Sequence, residues 1–215
     1  MPVSVTLKLA TSLDGRIALA DGTSQWITSA ESRARVHEMR AAHDAVLVGI
    51  GTALADDPLL TARTVPPPAR QPVRIVADSS GRLPPEGRLA ASTGMGRVVA
   101  ATAEAGHDVL SAAGVDVWPC GDATGHVDPK ALLERADVEG LSSIFLEGGG
   151  TLAASFILAG LVDTLHWFRA PILIGGDGFP AIAGLGLSDM AAAPRWMLTA
   201  TERIGDDTLD TYVKA

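Results

Sequence analysis

Short runs of Val, Ile, Leu and Ala recur along the chain with helical patterns between them, and that alternation leaves few folds open. Strands buried on both faces read as brief, almost continuous apolar runs, and the helices between them carry the chain back across the sheet. The expected class is therefore α/β, with a mostly parallel central sheet flanked by helices. The first run, Val3-Ser4-Val5-Thr6-Leu7-Lys8-Leu9-Ala10, alternates strictly. It puts Val3, Val5, Leu7 and Leu9 on one face and Thr6, Lys8 and Ala10 on the other. Further strands are expected at 45–48, 73–77, 98–101, 115–118 and 143–146. Thr28-Ser29-Ala30-Glu31 fits a capping box, with Thr28 and Glu31 each satisfying an amide at the start of a helix running to about His43. Helices are also expected at 103–113, 129–136 and 151–159, the last closed by Gly160. After Gly160 the segments 164–170, 195–202 and 208–213 read as strands with no helix between them, so antiparallel strands should finish the sheet. The Pro-, Gly- and Ser-rich segments 65–72 and 79–96 read as surface loops.

At 215 residues, the length suits one domain spanning 1–215. A composition 47% apolar and 20% charged excludes a disordered chain, and a net charge of -8 argues against nucleic acid or an anionic membrane as the main partner. No run approaches the ~20 apolar residues of a membrane span. The opening Met-Pro-Val-Ser-Val-Thr lacks the basic and apolar regions of a signal peptide, so a cytoplasmic location is expected. The single cysteine, Cys120, has no partner for an internal disulfide and reads as structural.

Chemistry concentrates at glycine-rich turns between strands and helices, where open α/β sheets bind ligands. In Glu147-Gly148-Gly149-Gly150-Thr151-Leu152 the glycines let a phosphate approach the backbone, and the first amides of the following helix point toward it. The alternative is a tight turn without a ligand, but Glu147 at the strand end then needs a positive or hydrogen-bonding partner. Gly49-Ile50-Gly51-Thr52-Ala53-Leu54 begins like a dinucleotide fingerprint but has Leu54 where the third glycine or alanine belongs, so a standard Rossmann reading is not supported. A third cluster, Gly175-Gly176-Asp177-Gly178, reads as a turn.

Taken in order, Lys8-Leu9-Ala10-Thr11-Ser12-Leu13-Asp14-Gly15-Arg16, Ser24-Gln25-Trp26-Ile27-Thr28, Gly49-Ile50-Gly51-Thr52-Ala53-Leu54-Ala55-Asp56-Asp57-Pro58, Leu60-Thr61-Ala62-Arg63 and Leu146-Glu147-Gly148-Gly149 resemble the reductase domain of the bifunctional riboflavin-biosynthesis deaminase/reductase. The similarity spans nearly the whole chain, with few diagnostic residues between 79 and 140. The resemblance implies a dihydrofolate-reductase-like fold, NADPH as cofactor and 5-amino-6-(5-phosphoribosylamino)uracil as substrate, its ribosyl chain being reduced to the ribityl form. It places cofactor contacts on Ala10, Trp26, Thr52, Asp56, Ser79 (or its neighbour Ser80) and the turn 149–155, including Gly149, Gly150, Thr151 and Leu152. Substrate contacts fall on Ser24, Arg40, Leu60, Arg63 and Glu147. A homodimer is also implied.

Within that assignment, Arg40 and Arg63 can each offer a guanidinium fork to the substrate phosphate, and Trp26 beside Ser24 gives a flat surface for a nucleotide ring. Lys8 and Glu147 are the catalytic candidates, Lys8 polarising or protonating the substrate and Glu147 orienting it, or the reverse. Arg16 and Arg74 are candidates for reading a 2′-phosphate. Adjacent Asp56 and Asp57 followed by Pro58 suit a turn better than a metal site, so no metal is expected. The paired His-x-Glu and Pro-Cys-x-x-Cys signatures of a zinc deaminase occur nowhere in the sequence, so deamination is expected from a separate protein. The alternatives are a reductase of the same fold acting on the diamino-pyrimidinone or another pterin or pyrimidine, and a non-catalytic NADPH sensor.

Overall fold

The structure, a computed structural model, describes residues 2–215. Among these a nine-stranded sheet runs in the order β10-β11-β8-β1-β7-β3-β4-β5-β6. Its strands are β1 (Ser4–Thr11), β3 (Ala45–Gly49), β4 (Val73–Ala77), β5 (Val98–Thr102), β6 (Asp116–Pro119), β7 (Ser143–Gly148), β8 (Thr164–Arg169), β10 (Trp196–Ile204) and β11 (Asp207–Lys214). Every expected strand is present, within two residues at either end. The pairings from β8 to β6 are parallel, while β8–β11 and β11–β10 are antiparallel. The antiparallel finish thus begins one strand later than expected. Helix α5 (Gly150–Leu158) leads out of β7 and returns the chain in the same direction, so β8 enters parallel to β1 and only the last two strands reverse.

Helices cover both faces. On one face Val5, Leu7, Leu9, Leu47 and Ile144 pack against α4 (Pro129–Val138) and α5 through Leu132, Ala136, Ala153 and Phe156. On the other, Val46, Val48, Val76 and Ala100 pack against α2 (Ile50–Asp56) and α3 (Asp108–Ala112), while Phe145 and Phe168 meet Val36 of α1 (Ala30–Ala41). The alternation of β1 is what separates the two layers: Val5 and Leu7 are fully buried under α4 and α5, and Lys8 and Ala10 face the side of α1. Cys120 is buried in the first layer, and burial pushes its thiol up to about 11, as suits a structural residue.

Local departures from the sequence reading have local causes. The cap of α1 is Ser29, whose hydroxyl accepts from the Ser32 amide at 3.2 Å; Thr28 instead gives its carbonyl to Arg33. The cap shifts by one because Asp207 accepts from both the Ser29 amide and the Ser32 hydroxyl, tying the helix start to β11. The helix expected at 103–113 shrinks to α3, since Gly106 takes a φ of +95° that a helix does not allow. Segment 79–96 is not a free surface loop: Leu83, Leu89 and Ala90 are buried and a 3-10 turn spans Ala90–Met95. Two short strands, β2 (Arg16–Ala18) and β9 (Phe179–Pro180), form a separate antiparallel ribbon that the sequence reading lacked.

Candidate functional site

The carboxyl ends of β1, β3 and β7 open onto two adjoining clefts of about 530 and 510 Å³, within the range of small-molecule sites. The first is lined by Gly51, Thr52, Gly149, Gly150 and Thr151, roofed by Phe179–Pro180 of β9. The second is lined by Trp26, Arg33, His37, Arg40, Leu60 and Arg63. Lys8, Ala10, Ser24, Asp56 and Glu147 line both. Two ligands lying in the two clefts would meet at these residues.

Strand register sets the centre. β1 pairs with β7 so that Leu7 lies opposite Leu146, and the next step brings Lys8 and Glu147 onto neighbouring strands on the same side of the sheet. Glu147 receives a bidentate clamp from Arg40 of α1, Nε to Oε1 at 2.5 Å and Nη2 to Oε2 at 2.8 Å. The remaining Arg40 nitrogen donates to the Thr61 carbonyl at 3.1 Å. The pair is almost withdrawn from water, with side chains 13% and 8% exposed. Burial pushes the Glu147 carboxyl up, but the Arg40 charge, its hydrogen bonds and Lys8 outweigh this and hold it below the usual carboxylate range. Burial lowers Lys8, and Arg40 adds to that; Glu147 opposes it without cancelling it. Lys8 Nζ lies 5.9 Å from the centre of the Phe168 ring, a second source of attraction for its charged form. The centre thus holds an ionised carboxylate beside an amine that gives up its proton more readily than a free lysine.

The glycine turn shapes the first cleft. Gly149, the residue before α5, has a φ of +78°, and a Cβ there would come within 3.4 Å of Thr52 Oγ1. At Gly150 a Cβ would stand 3.0 Å from the Pro180 carbonyl. Glycine is what lets α5 begin directly beneath the cleft, with α2 on one side and the β9 segment above.

Comparison with known proteins fixes the lineage. The family model described as "RibD C-terminal domain" matches residues 3–209. This chain belongs to the RibD C-terminal domain family. It is 40% identical over 213 residues to the 2,5-diamino-6-ribosylamino-4(3H)-pyrimidinone 5′-phosphate reductase of Methanothermobacter thermautotrophicus, covering 97% of this chain and 96% of that protein. It is 38% identical to the riboflavin biosynthesis protein RibD of Actinobacillus pleuropneumoniae, again over 97% of this chain but only 56% of the relative. Among solved structures, the diaminohydroxyphosphoribosylaminopyrimidine deaminase/5-amino-6-(5-phosphoribosylamino)uracil reductase of Thermotoga maritima matches with a TM-score of 0.84 and 30% identity, over all of this chain and 57% of that one. The chain therefore spans just over half the length of its bifunctional relatives. Its fold is dihydrofolate-reductase-like.

In this RibD C-terminal domain the sequence-derived residues fall into four groups. Ala10, Thr52, Asp56, Gly149, Gly150 and Thr151, all expected at the cofactor, line the first cleft together. Ser24, Arg40, Leu60, Arg63 and Glu147 line the second. Trp26, assigned to the cofactor, lies in the second cleft with the Arg33 guanidinium 4.4 Å from its ring centre. Ser79 and Leu152 lie outside both: the Ser79 hydroxyl accepts from the Val127 amide, and Leu152 packs against Gly49.

Three assignments change character. Arg40 has its fork on Glu147 rather than free for a phosphate, because an ionised carboxylate at the end of β7 needs a buried cation. Leu60 is 3% exposed, its side chain in the core and its φ at +54°, so only its backbone can face a ligand. Arg74, a candidate reader of a 2′-phosphate, is fully buried; it donates to the Leu59, Ser92 and Gly96 carbonyls and the Ser92 hydroxyl, bracing the turn that carries Leu60. Asp57 is a left-handed helix cap whose carboxylate accepts from the Arg88 amide, in keeping with a turn. The sequence reading missed His37, Arg33, Arg88 and the β9 roof. His37 could have been found, lying three residues before Arg40 on one face of α1.

Proposed function

We propose that the chain is an NADPH-dependent reductase that converts the ribosyl chain of 5-amino-6-(5-phosphoribosylamino)uracil to the ribityl form in riboflavin biosynthesis. The observation that carries this reading is the meeting of two clefts at Lys8 and Glu147, one shaped by glycines for a dinucleotide and the other lined with arginines and Trp26. The glycine cradle fits the cofactor: it leaves the start of α5 bare toward the first cleft, where Thr52 and Thr151 would flank a pyrophosphate. Asp56, whose carboxyl partial desolvation pushes up, would accept from a ribose hydroxyl. When bound, NADPH supplies the hydride that reduces the ring-opened, imine-like sugar carbon next to the amine.

The protein's part is placement and charge. Glu147, immobilised and kept ionised by Arg40, accepts hydrogen bonds from the substrate and fixes its orientation. Lys8, facing the same point, supplies a proton or positive field where negative charge develops. Its lowered affinity for that proton, caused first by burial, suits donation. Arg40 is assigned to the Glu147 clamp, and Arg63, exposed at the mouth of the second cleft, to the substrate phosphate. Trp26 belongs with the pyrimidine by its position. A homodimer, a cytoplasmic location and a separate source of deaminase activity complete the proposal.

A second reading, reduction of the diamino-pyrimidinone, is favoured by the Methanothermobacter relative, which matches end to end and is named for that substrate. NADPH consumption by the purified protein, supplied in parallel with both phosphoribosylamino-pyrimidines, separates the two. Faster turnover of the uracil supports the first reading, faster turnover of the diamino compound replaces it with the second, and NADPH binding without turnover of either overturns both.

A further inference from the structure

We propose that His37 is a positioning residue, which aims the Arg63 guanidinium across the second cleft so that it receives the phosphoryl end of the ligand bound there. The identity of that ligand rests on the function proposed above; the positioning role rests on geometry. His37 Nε2 lies 3.1 Å from Arg63 Nη2, and His37 Nδ1 lies 3.2 Å from the Thr61 carbonyl. A guanidinium has only donors to offer, so Nε2 must present a lone pair to Arg63. A neutral imidazole with a free Nε2 carries its proton on Nδ1, which then donates to the Thr61 carbonyl. The 3.3 Å approach of the Arg63 amide to Nδ1 is left as a close contact, since one nitrogen cannot both donate and accept there.

The Thr61 carbonyl anchors this chain of contacts because Arg40 Nη1 donates to it as well, at 3.1 Å. Glu147, Arg40, Thr61, His37 and Arg63 therefore form one connected line from the catalytic centre to the mouth of the cleft. Arg63 is exposed on a segment without regular structure, and a long side chain placed so would sample many rotamers unless held. His37 holds it from α1, a rigid element. Arg40, Arg63 and Glu147 face the imidazole from α1, the 57–63 turn and β7, and Arg33 and Arg88 line the same cleft. Burial lowers the affinity of His37 for a second proton, and the two nearest arginines lower it further, so the neutral form that the contact requires is the one favoured at neutral pH. Nothing in this role needs His37 to touch the ligand.

Calorimetric titration with ribose 5-phosphate tests the role without requiring turnover. Four variants are compared with the parent: His37→Ala, His37→Gln, Arg63→Ala and the double His37→Ala/Arg63→Ala, each checked for intact thermal unfolding. His37→Ala should weaken binding about tenfold, the scale of a hydrogen bond to a charged group. The double variant should be no weaker than Arg63→Ala alone, because the histidine acts through the arginine. His37→Gln, whose amide oxygen can take the Arg63 donor, should recover most of the loss. In the full reaction the effect should fall on KM rather than kcat. Additive losses, a Gln variant as poor as Ala, unchanged binding in His37→Ala, or a parent that does not bind ribose 5-phosphate would each overturn the role. If the binding pattern holds but neither pyrimidine is reduced, the positioning role stands and the reductase reading falls.

Discussion

At the scale of single residues, the site combines two groups whose burial has opposite consequences. Glu147 is compensated by Arg40 and stays ionised, whereas Lys8 is held where its charged form is disfavoured. The folded-state affinity of Lys8 for a proton is below the unfolded value of 10.5, so between the two the unfolded chain binds more protons and stability rises with pH. Below the unfolded value the buried lysine therefore costs stability. Lys8→Met should raise the thermal midpoint by roughly 2–4 °C, the equivalent of about 1 kcal/mol in a chain of this size, while cutting turnover by about 10²-fold or more. Full turnover in this variant would remove Lys8 from the mechanism. Glu147 has the opposite sign: its depressed folded-state pKa contributes stability that is fully present above the ordinary carboxylate range and is lost as pH falls through the lower folded value. Glu147→Gln strands the Arg40 charge and should cost about 3–5 kcal/mol at neutral pH, with the gap to the parent closing in acid; parallel denaturant titrations across pH measure it.

Among the elements, the joint between β7 and α5 has the least room to vary. Gly149 needs a left-handed φ and close approach to Thr52 on α2, so two elements are packed through the absence of a side chain. Gly149→Ala should destabilise the fold by about 1–2 kcal/mol through the strained backbone, and should weaken NADPH binding beyond what lost stability explains. Fluorescence titration at a temperature where the variant is fully folded isolates the second effect. Equal affinity in parent and variant would mean that the turn closes the fold without holding the cofactor. The β2–β9 ribbon belongs to the same scale: its strands are too short and too far apart in sequence for a periodic pattern, and they pair only because β9 is held against the glycine turn.

For the whole molecule, the sheet ends in an unequal pair of edges. β6 is four residues long, but β10 has nine, and seven of them are exposed, including Met197 and Leu198. A long edge with apolar side chains is a surface that another chain can cover, which agrees with the proposed homodimer. Light scattering on the eluting protein should give twice the 22.1 kDa chain mass. A monomer at all concentrations would reject the dimer, and leave β10 as an edge kept apart by its interspersed charges.

Sequence alone was enough for the strands of the main sheet and the α/β class, and it singled out Lys8 and Glu147 as candidates, because buried strands and glycine turns are written in neighbouring residues. Lys8 was placed by alternation within one strand and Glu147 by the turn that follows it. Tertiary structure decided what those residues do. Arg40 reads as a free phosphate ligand until the fold brings it to a carboxylate 107 positions away; Arg74 reads as a candidate for a 2′-phosphate until it is found caged by carbonyls. The cap of α1 moved from Thr28 to Ser29 because of Asp207, a residue 178 positions from the Ser29 amide that it binds. Local sequence sets backbone preference, but a charged side chain takes its role from its partner, and partners are chosen by packing across the sheet.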